Sequence, residues 1–240
     1  MKKIEYFIKS IICVLVFTAC ESFIADDINR DPNNPSVVTL NAVLPSIEVR
    51  MMDWYGGQTS RVNSMFAQQT EGVARQWSSF NQYTGMTPTR FVTVWDIYYE
   101  DILIEVNTMI ADAQEDGYNH YVGIGQIIKA SAMMSATDWW GDIPNTTAAL
   151  GIDEINPTKD GQASIYAEVF SLLDSGISLL NGSNGGFAPG SDDVIYKGDV
   201  SKWILAANAM KARGHLHLGC LLYTSPSPRD QRGSRMAGSA

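Results

Sequence analysis

DWWGDIP, residues 138–144, packs two adjacent tryptophans, a glycine and two carboxylates into seven residues and stops on a proline. It lies between two segments of helical periodicity, so its reading decides how they connect. Asp138 and Asp142 share a face only if one helix runs through Gly141. Gly141 and Pro144 oppose that, because glycine readily terminates a helix and proline lacks the N–H that would continue one. The helix is therefore expected to end near Thr137 or Asp138, with Gly141 to Pro144 turning the chain. In that reading the Asp side chains cap and bridge backbone amides, and Trp139 and Trp140 lie against the preceding helix. Two alternatives stand beside it: a sugar stacked on one tryptophan, and an acid–base pair of carboxylates. The second is disfavoured because the segment holds no histidine or basic residue to shift a carboxylate pKa.

Working outward, the flanking chain is helical in pattern. Upstream, residues 120–137 place Ile124, Ile128, Ser131 and Met134 on one face, with Ala130 and Ala132 allowing a neighbour close. Downstream, residues 162–180 repeat the pattern with Ile165, Val169, Leu172, Leu173, Ile177 and Leu180. The clearest helix is 94–115, where Trp95, Tyr98, Tyr99, Ile102, Val106 and Met109 recur at steps of three and four. Residues 39–54 and 58–77 read as two further helices separated by Gly56 and Gly57, and SSFNQYTGMTP (78–88) as a loop. Asp199 is the expected N-cap of a last helix over 200–219. Val194 to Tyr196 is the best short strand. Successive helix pairs with no fixed-period sequence repeat predict an all-α stack of helical hairpins.

The two ends differ from this body. Lys2 and Lys3 precede an apolar run, Ile11 to Phe17, too short to span a bilayer, and the run ends in Thr18-Ala19-Cys20. This resembles a bacterial lipoprotein signal, which implies that residues 1–19 are removed and that Cys20 carries the acyl chains. Residues 20–38, rich in Asn, Asp and Pro, read as a tether. At the other end CLLYTSPSPRD (220–230) breaks the composition abruptly and resembles the translation of a sequencing adapter. Residues 220–240 are therefore expected not to be native, and the helical domain to span 39–219, incomplete at its C-terminus.

The whole chain has net charge −9. The two ends hold six of its 17 Lys and Arg but only two of its 26 Asp and Glu, so the body is more acidic, at −13. That charge argues against nucleic acid, whose phosphates need clustered cations, and against adhesion to an anionic membrane through protein charge. Cys13 leaves with the signal, Cys20 carries lipid in this reading and Cys220 lies in the C-terminal end, leaving no cysteine for a disulfide, thiolate metal site or nucleophile. His215 and His217 diverge by about 200° on a helix, so they do not share a metal there.

DWWGDIP followed by IYAEVFSLLDSGISLL (165–180) is similar to the core of SusD/RagB-family outer-membrane lipoproteins of Bacteroidetes. Glu168, Asp174 and Leu180 fall in register with that family, while Gly176 stands where alanine is usual. YKGDVSKWILAANAMKARGHLHL (196–218) matches it at Gly198, Asp199, Lys202, Trp203, Ala207, Asn208, Lys211 and Arg213. WDIYYEDILIEVNTMI (95–110) matches at Trp95, Tyr98 or Tyr99, and Asn107, and NRDPNNP (29–35) resembles the family's linker. The resemblance implies a TPR-like helical scaffold, anchored in the outer membrane and facing the cell exterior. Such a scaffold captures glycans or, in the RagB branch, peptides for a SusC-like TonB-dependent transporter, without catalysis and without a cofactor. Asp138, Trp140, Gly141, Asp142 and Pro144 are then scaffold residues.

Ligand contact is expected from Trp77, Phe80, Asn81 and Tyr83, because aromatics interleaved with amides suit sugar faces and hydroxyls. The alternative is that they pack beneath the loop. The competing function is a helical glycoside hydrolase, which needs two carboxylates across a cleft. In so acidic a chain, carboxylate pairs alone do not discriminate.

Overall fold

The computed structural model describes residues 38–222. The chain divides into two units, Met1–Thr39 and Leu40–Ala240, and the second contains the helical domain. Cys20, the signal, most of the tether and residues 223–240 lie outside the described residues.

Among the described residues the chain forms seven main helices, with 3-10 turns at Pro88–Phe91 and Gly151–Asp153. Leu40–Gly56 (α1) and Gln58–Phe66 (α2) meet at Gly57, where a Cβ would sit 2.3 Å from the Asp53 carbonyl, so only glycine permits the elbow. Gln76–Asn81 (α3) is short. Residues 92–115 (α4) run without a break through Val92–Asp96, a π-helical turn Ile97–Leu103 and Ile104–Glu115. Then come Asn119–Trp140 (α5), Gln162–Asn181 (α6) and Val200–Leu222 (α7). Two-residue strands, β1 (Ile143–Pro144) and β2 (Lys159–Asp160), pair antiparallel between α5 and α6.

α5 is the centre of the stack. It is buried on nearly every side from Tyr121 to Thr137, as an all-round apolar helix must be. α6 packs along one side of it and α4 along another, and α7 leans on α6 and α5. α6 is apolar enough by composition to cross a membrane, yet it packs against α5 and α7 in this fold. The all-α expectation therefore holds, and so do the buried stripes. Ile124, Ile128, Ile165, Val169, Leu173, Trp203 and Ala207 are all core residues.

Four local expectations are corrected. The helix expected over 58–77 stops at Phe66, because Gln68 adopts φ 56° and the chain turns back on Ser64. The loop expected from residue 78 begins as α3. Val194 to Tyr196 form a turn rather than a strand, since Asp193 gathers the N–H groups of Ile195, Tyr196 and Gly198 at 2.8–2.9 Å. α5 runs on to Trp140 and stops only at Gly141, whose φ is 71°.

Candidate functional site

The elbow between α1 and α2 and the late arrival of the α5 terminus together open a cleft of about 830 Å³. One wall is Tyr55 at the end of α1. Its hydroxyl donates to the Ser131 carbonyl at 3.0 Å and lies 2.9 Å from the Ser131 hydroxyl. A second wall is α2, which presents Ser60, Asn63 and Ser64 at helical spacing toward the opening. The strained turn at Gln68 then brings Gln69 to the rim. Facing them are Asp138, Trp139 and Trp140 from the last turn of α5, with Phe91 beneath and Arg213 reaching across from α7.

The DWWGDIP residues divide between the cleft and its scaffold. Trp140 is fixed by Trp54 and Trp95, at ring-centre distances of 5.8 and 5.0 Å. Trp139 turns the other way, meeting the edge of Phe91 at 6.2 Å and leaving part of its ring to the cleft. Asp142 accepts from the Gln162 amide at 2.9 Å and so caps α6, as expected of a bridging carboxylate. Gln162 in turn donates to the Thr137 carbonyl at 2.7 Å, and the Thr137 hydroxyl to the Gly141 carbonyl at 2.7 Å. Pro144 lies in β1, and its carbonyl accepts from Tyr99 at 2.8 Å.

Asp138 departs from the expectation. It bridges no backbone amide. One oxygen accepts from the Tyr166 hydroxyl at 2.5 Å and the other meets His217 Nδ1 at 2.8 Å. Burial and the Asp138 bond push the Tyr166 phenol well above its ordinary range. The imidazole missing from the segment itself is thus supplied by α7, and Arg213 Nε lies 3.4 Å from the far ring nitrogen of His217. His215 points elsewhere and stacks on Phe170 at 4.4 Å. No helical period within one segment reveals a cluster assembled from three helices.

Two of the four expected ligand residues, Phe80 and Trp77, belong to a small second core. Phe80 is 2% exposed and packs with Val62 and Met65, which withholds its faces from any ligand. Trp77 lies between Phe80, at 5.8 Å, and the Arg61 guanidinium, at 5.3 Å. Asn81 ends α3. Tyr83 is exposed, but its ring stacks on Phe66 at 5.5 Å and its hydroxyl donates to the Phe66 carbonyl at 2.8 Å. None of the four lines the cleft. Trp77, Phe80 and Tyr83 instead pack against α2 or Phe91, which do line it.

The motif residues on α6 and α7 also find each other. Lys211 pairs with Asp174, and Glu168 accepts from Asn145 at 2.6 Å while lying 3.9 Å from Lys129. A family model for SusD-like proteins, described as starch-binding and associating with the outer membrane, matches residues 32–222.

The chain belongs to the SusD-like family.

Solved structures share the fold of this SusD-like chain. A SusD/RagB family protein from Bacteroides thetaiotaomicron superposes with TM-score 0.70 at 22% identity, over 76% of this chain and 39% of its own. A chitin-binding protein gives 0.66 at 22% identity, over 76% of this chain and 40% of its own. A chitin-binding SusD homologue from Flavobacterium johnsoniae gives 0.58 at 17% identity, over 74% and 39%. The SusD-like chain therefore spans about two fifths of the length of the structures it matches. None of the curated proteins matches it.

Proposed function

We propose that this chain is the capture part of a surface lipoprotein that binds nutrient oligosaccharide and delivers it to a SusC-like TonB-dependent transporter. The single observation that carries the reading is the family match across residues 32–222, to proteins described as starch-binding and associating with the outer membrane. The cleft supports it. Its lining is aromatic rings, hydroxyls and amides, the mixture that stacks on pyranose faces and hydrogen-bonds their edges.

A glycoside hydrolase is the weaker reading. Hydrolysis needs two carboxylates flanking the bond to be cut. Among the described residues lining the cleft, Asp138 is the one carboxylate, and Tyr166 and His217 already occupy it.

The anchor in this reading is the lipid on Cys20. Several acyl chains, each contributing about 0.8 kcal/mol per buried methylene, hold far more firmly than one. The test is fractionation of cells expressing wild type and Cys20→Ala, with palmitate labelling and cross-linking to neighbouring membrane proteins. Labelled wild type cross-linked to a large TonB-dependent transporter supports the proposal. Unchanged labelling and membrane retention of Cys20→Ala would remove the anchor, and a wild type with no transporter neighbour would remove the partner.

A further inference from the structure

Asn63 and Gln69 make no side-chain hydrogen bond among the described residues, although both stand at the lining of the cleft. Each offers a donor and an acceptor together, which matches the hydroxyls of a sugar. They are held in place by rigid backbone. Asn63 lies inside α2, and its carbonyl accepts from Ala67 N at 2.9 Å. Gln69 follows the left-handed Gln68, and its N–H donates to the Ser64 carbonyl at 2.8 Å. A non-glycine residue at φ 56° costs backbone energy, and here the effect of that turn is to carry Gln69 back to the cleft.

Across the opening stands Trp139. Both adjacent tryptophans are half-buried and line the cleft, but Trp140 packs against Trp54 and Trp95 as well as its neighbour, whereas Trp139 meets Phe91 alone beyond that neighbour and is the less enclosed by other rings. The charges in the cleft are a single carboxylate and a single guanidinium. Asp138 accepts from the Tyr166 hydroxyl and lies 2.8 Å from His217 Nδ1, and Arg213 adds one cation. Around that cleft the body of the chain carries net charge −13, which repels polyanions.

We infer that the cleft between α2 and the end of α5 binds a neutral pyranose chain, with Trp139 as the stacking platform and Asn63 and Gln69 as the amides that read its hydroxyls. This rests on the glycan-capture reading and adds the location, the contact residues and the charge class of the ligand.

The test is calorimetric titration of the purified chain with maltoheptaose, chitohexaose and a hexamer of galacturonate. The proteins are wild type, Asn63→Ala, Gln69→Ala and Trp139→Ala, each checked by thermal melting. The expected result is saturable binding of a neutral oligomer, weakened about fivefold by each amide deletion and about tenfold by loss of the ring. Asn63 and Gln69 are exposed, so their variants remain informative if Trp139→Ala fails to fold. Neutral-oligomer binding that survives both amide deletions overturns this inference and leaves glycan capture standing. Tighter binding of the galacturonate hexamer overturns the charge class. Failure of wild type to bind any of the three overturns both.

Discussion

Gly123 on α5 and Gly176 on α6 face one another across a close helix contact: a Cβ on Gly176 would lie 2.9 Å from the Gly123 carbonyl, and one on Gly123 would lie 2.9 Å from Leu180. Gly176→Ala gains about 1 kcal/mol of helix propensity but forces apart a packed interface, which typically costs about 1–3 kcal/mol. The expected outcome is a lower denaturation midpoint in urea with an unchanged slope. A variant as stable as wild type would show that α5 and α6 slide apart freely.

The position of Gly176 shows what the sequence makes legible. Its departure from the family's usual alanine is visible in the letters, whereas its reason is the facing glycine, fifty-odd residues away. The buried stripes of α5, α6 and α7 were legible because helical periodicity is local. The π-helical turn in α4 was not, although it explains why the neighbours Ile102 and Leu103 are both buried and why Tyr98 and Tyr99 both turn inward. An inserted residue per turn shifts the register, and a fixed 3.6 period reads through it.

The buried acid Glu48 predicts a pH dependence. Its carboxylate oxygen accepts from Val194 N at 2.6 Å, which ties α1 to the turn before α7. Burial, then the hydrogen bond to Asp193, push Glu48 up to about 8 from an ordinary 4.5. Between those values only the folded state holds the proton. Stability that is complete below about pH 4.5 is therefore lost as the pH rises through 8, at up to about 1.4 kcal/mol per pH unit. Burial acts to raise Asp193 too, but donors from Tyr196, Trp203 and Gly198 outweigh it and hold it below the usual range. Its contribution has the opposite sign and is lost at the acid end. Melting temperatures should rise from pH 8.5 to pH 5.5, and Glu48→Gln should flatten that slope. Parallel profiles for the two proteins would contradict this assignment.

Asp142 caps α6 from outside it, because Gly161 at the helix start has no side chain to do so. Asp142→Ala is expected to cost about 1 kcal/mol and Asp142→Asn much less, since the amide oxygen still accepts. Equal losses in the two variants would mean that Asp142 acts through its charge rather than as a cap.

Trp77 braces the small core beneath the cleft, so its removal should be felt in stability. With Trp77 half-buried, Trp77→Ala should cost about 2 kcal/mol, below the roughly 3–5 kcal/mol of a fully buried tryptophan. Oligosaccharide affinity of the folded fraction should stay within about twofold of wild type. A stable variant with sharply weaker binding would return the ligand site to residues 77–83.

The candidate site was only half legible for a related reason. Aromatics in an apparent loop suggested ligand contact at Trp77 and Phe80, yet α3 folds them inward onto Val62 and Met65. The cleft itself depends on where α2 stops and where α5 stops: α2 stops at Phe66 rather than 77, and α5 at Trp140 rather than 137 or 138. Its polar lining, Ser60, Asn63, Ser64 and Gln69, carries no motif. Only the left-handed Gln68 and the reach of α5 to Trp140 bring those residues opposite Trp139.

Capture without chemistry is the central claim, and one experiment addresses it directly. The purified chain is incubated with maltoheptaose and, separately, with chitohexaose, while binding is followed by calorimetry and the recovered sugar is sized by chromatography. The account predicts saturable binding of at least one oligomer, recovered at its original length after prolonged incubation. Shortened products, or no heat of binding with either sugar, would contradict it.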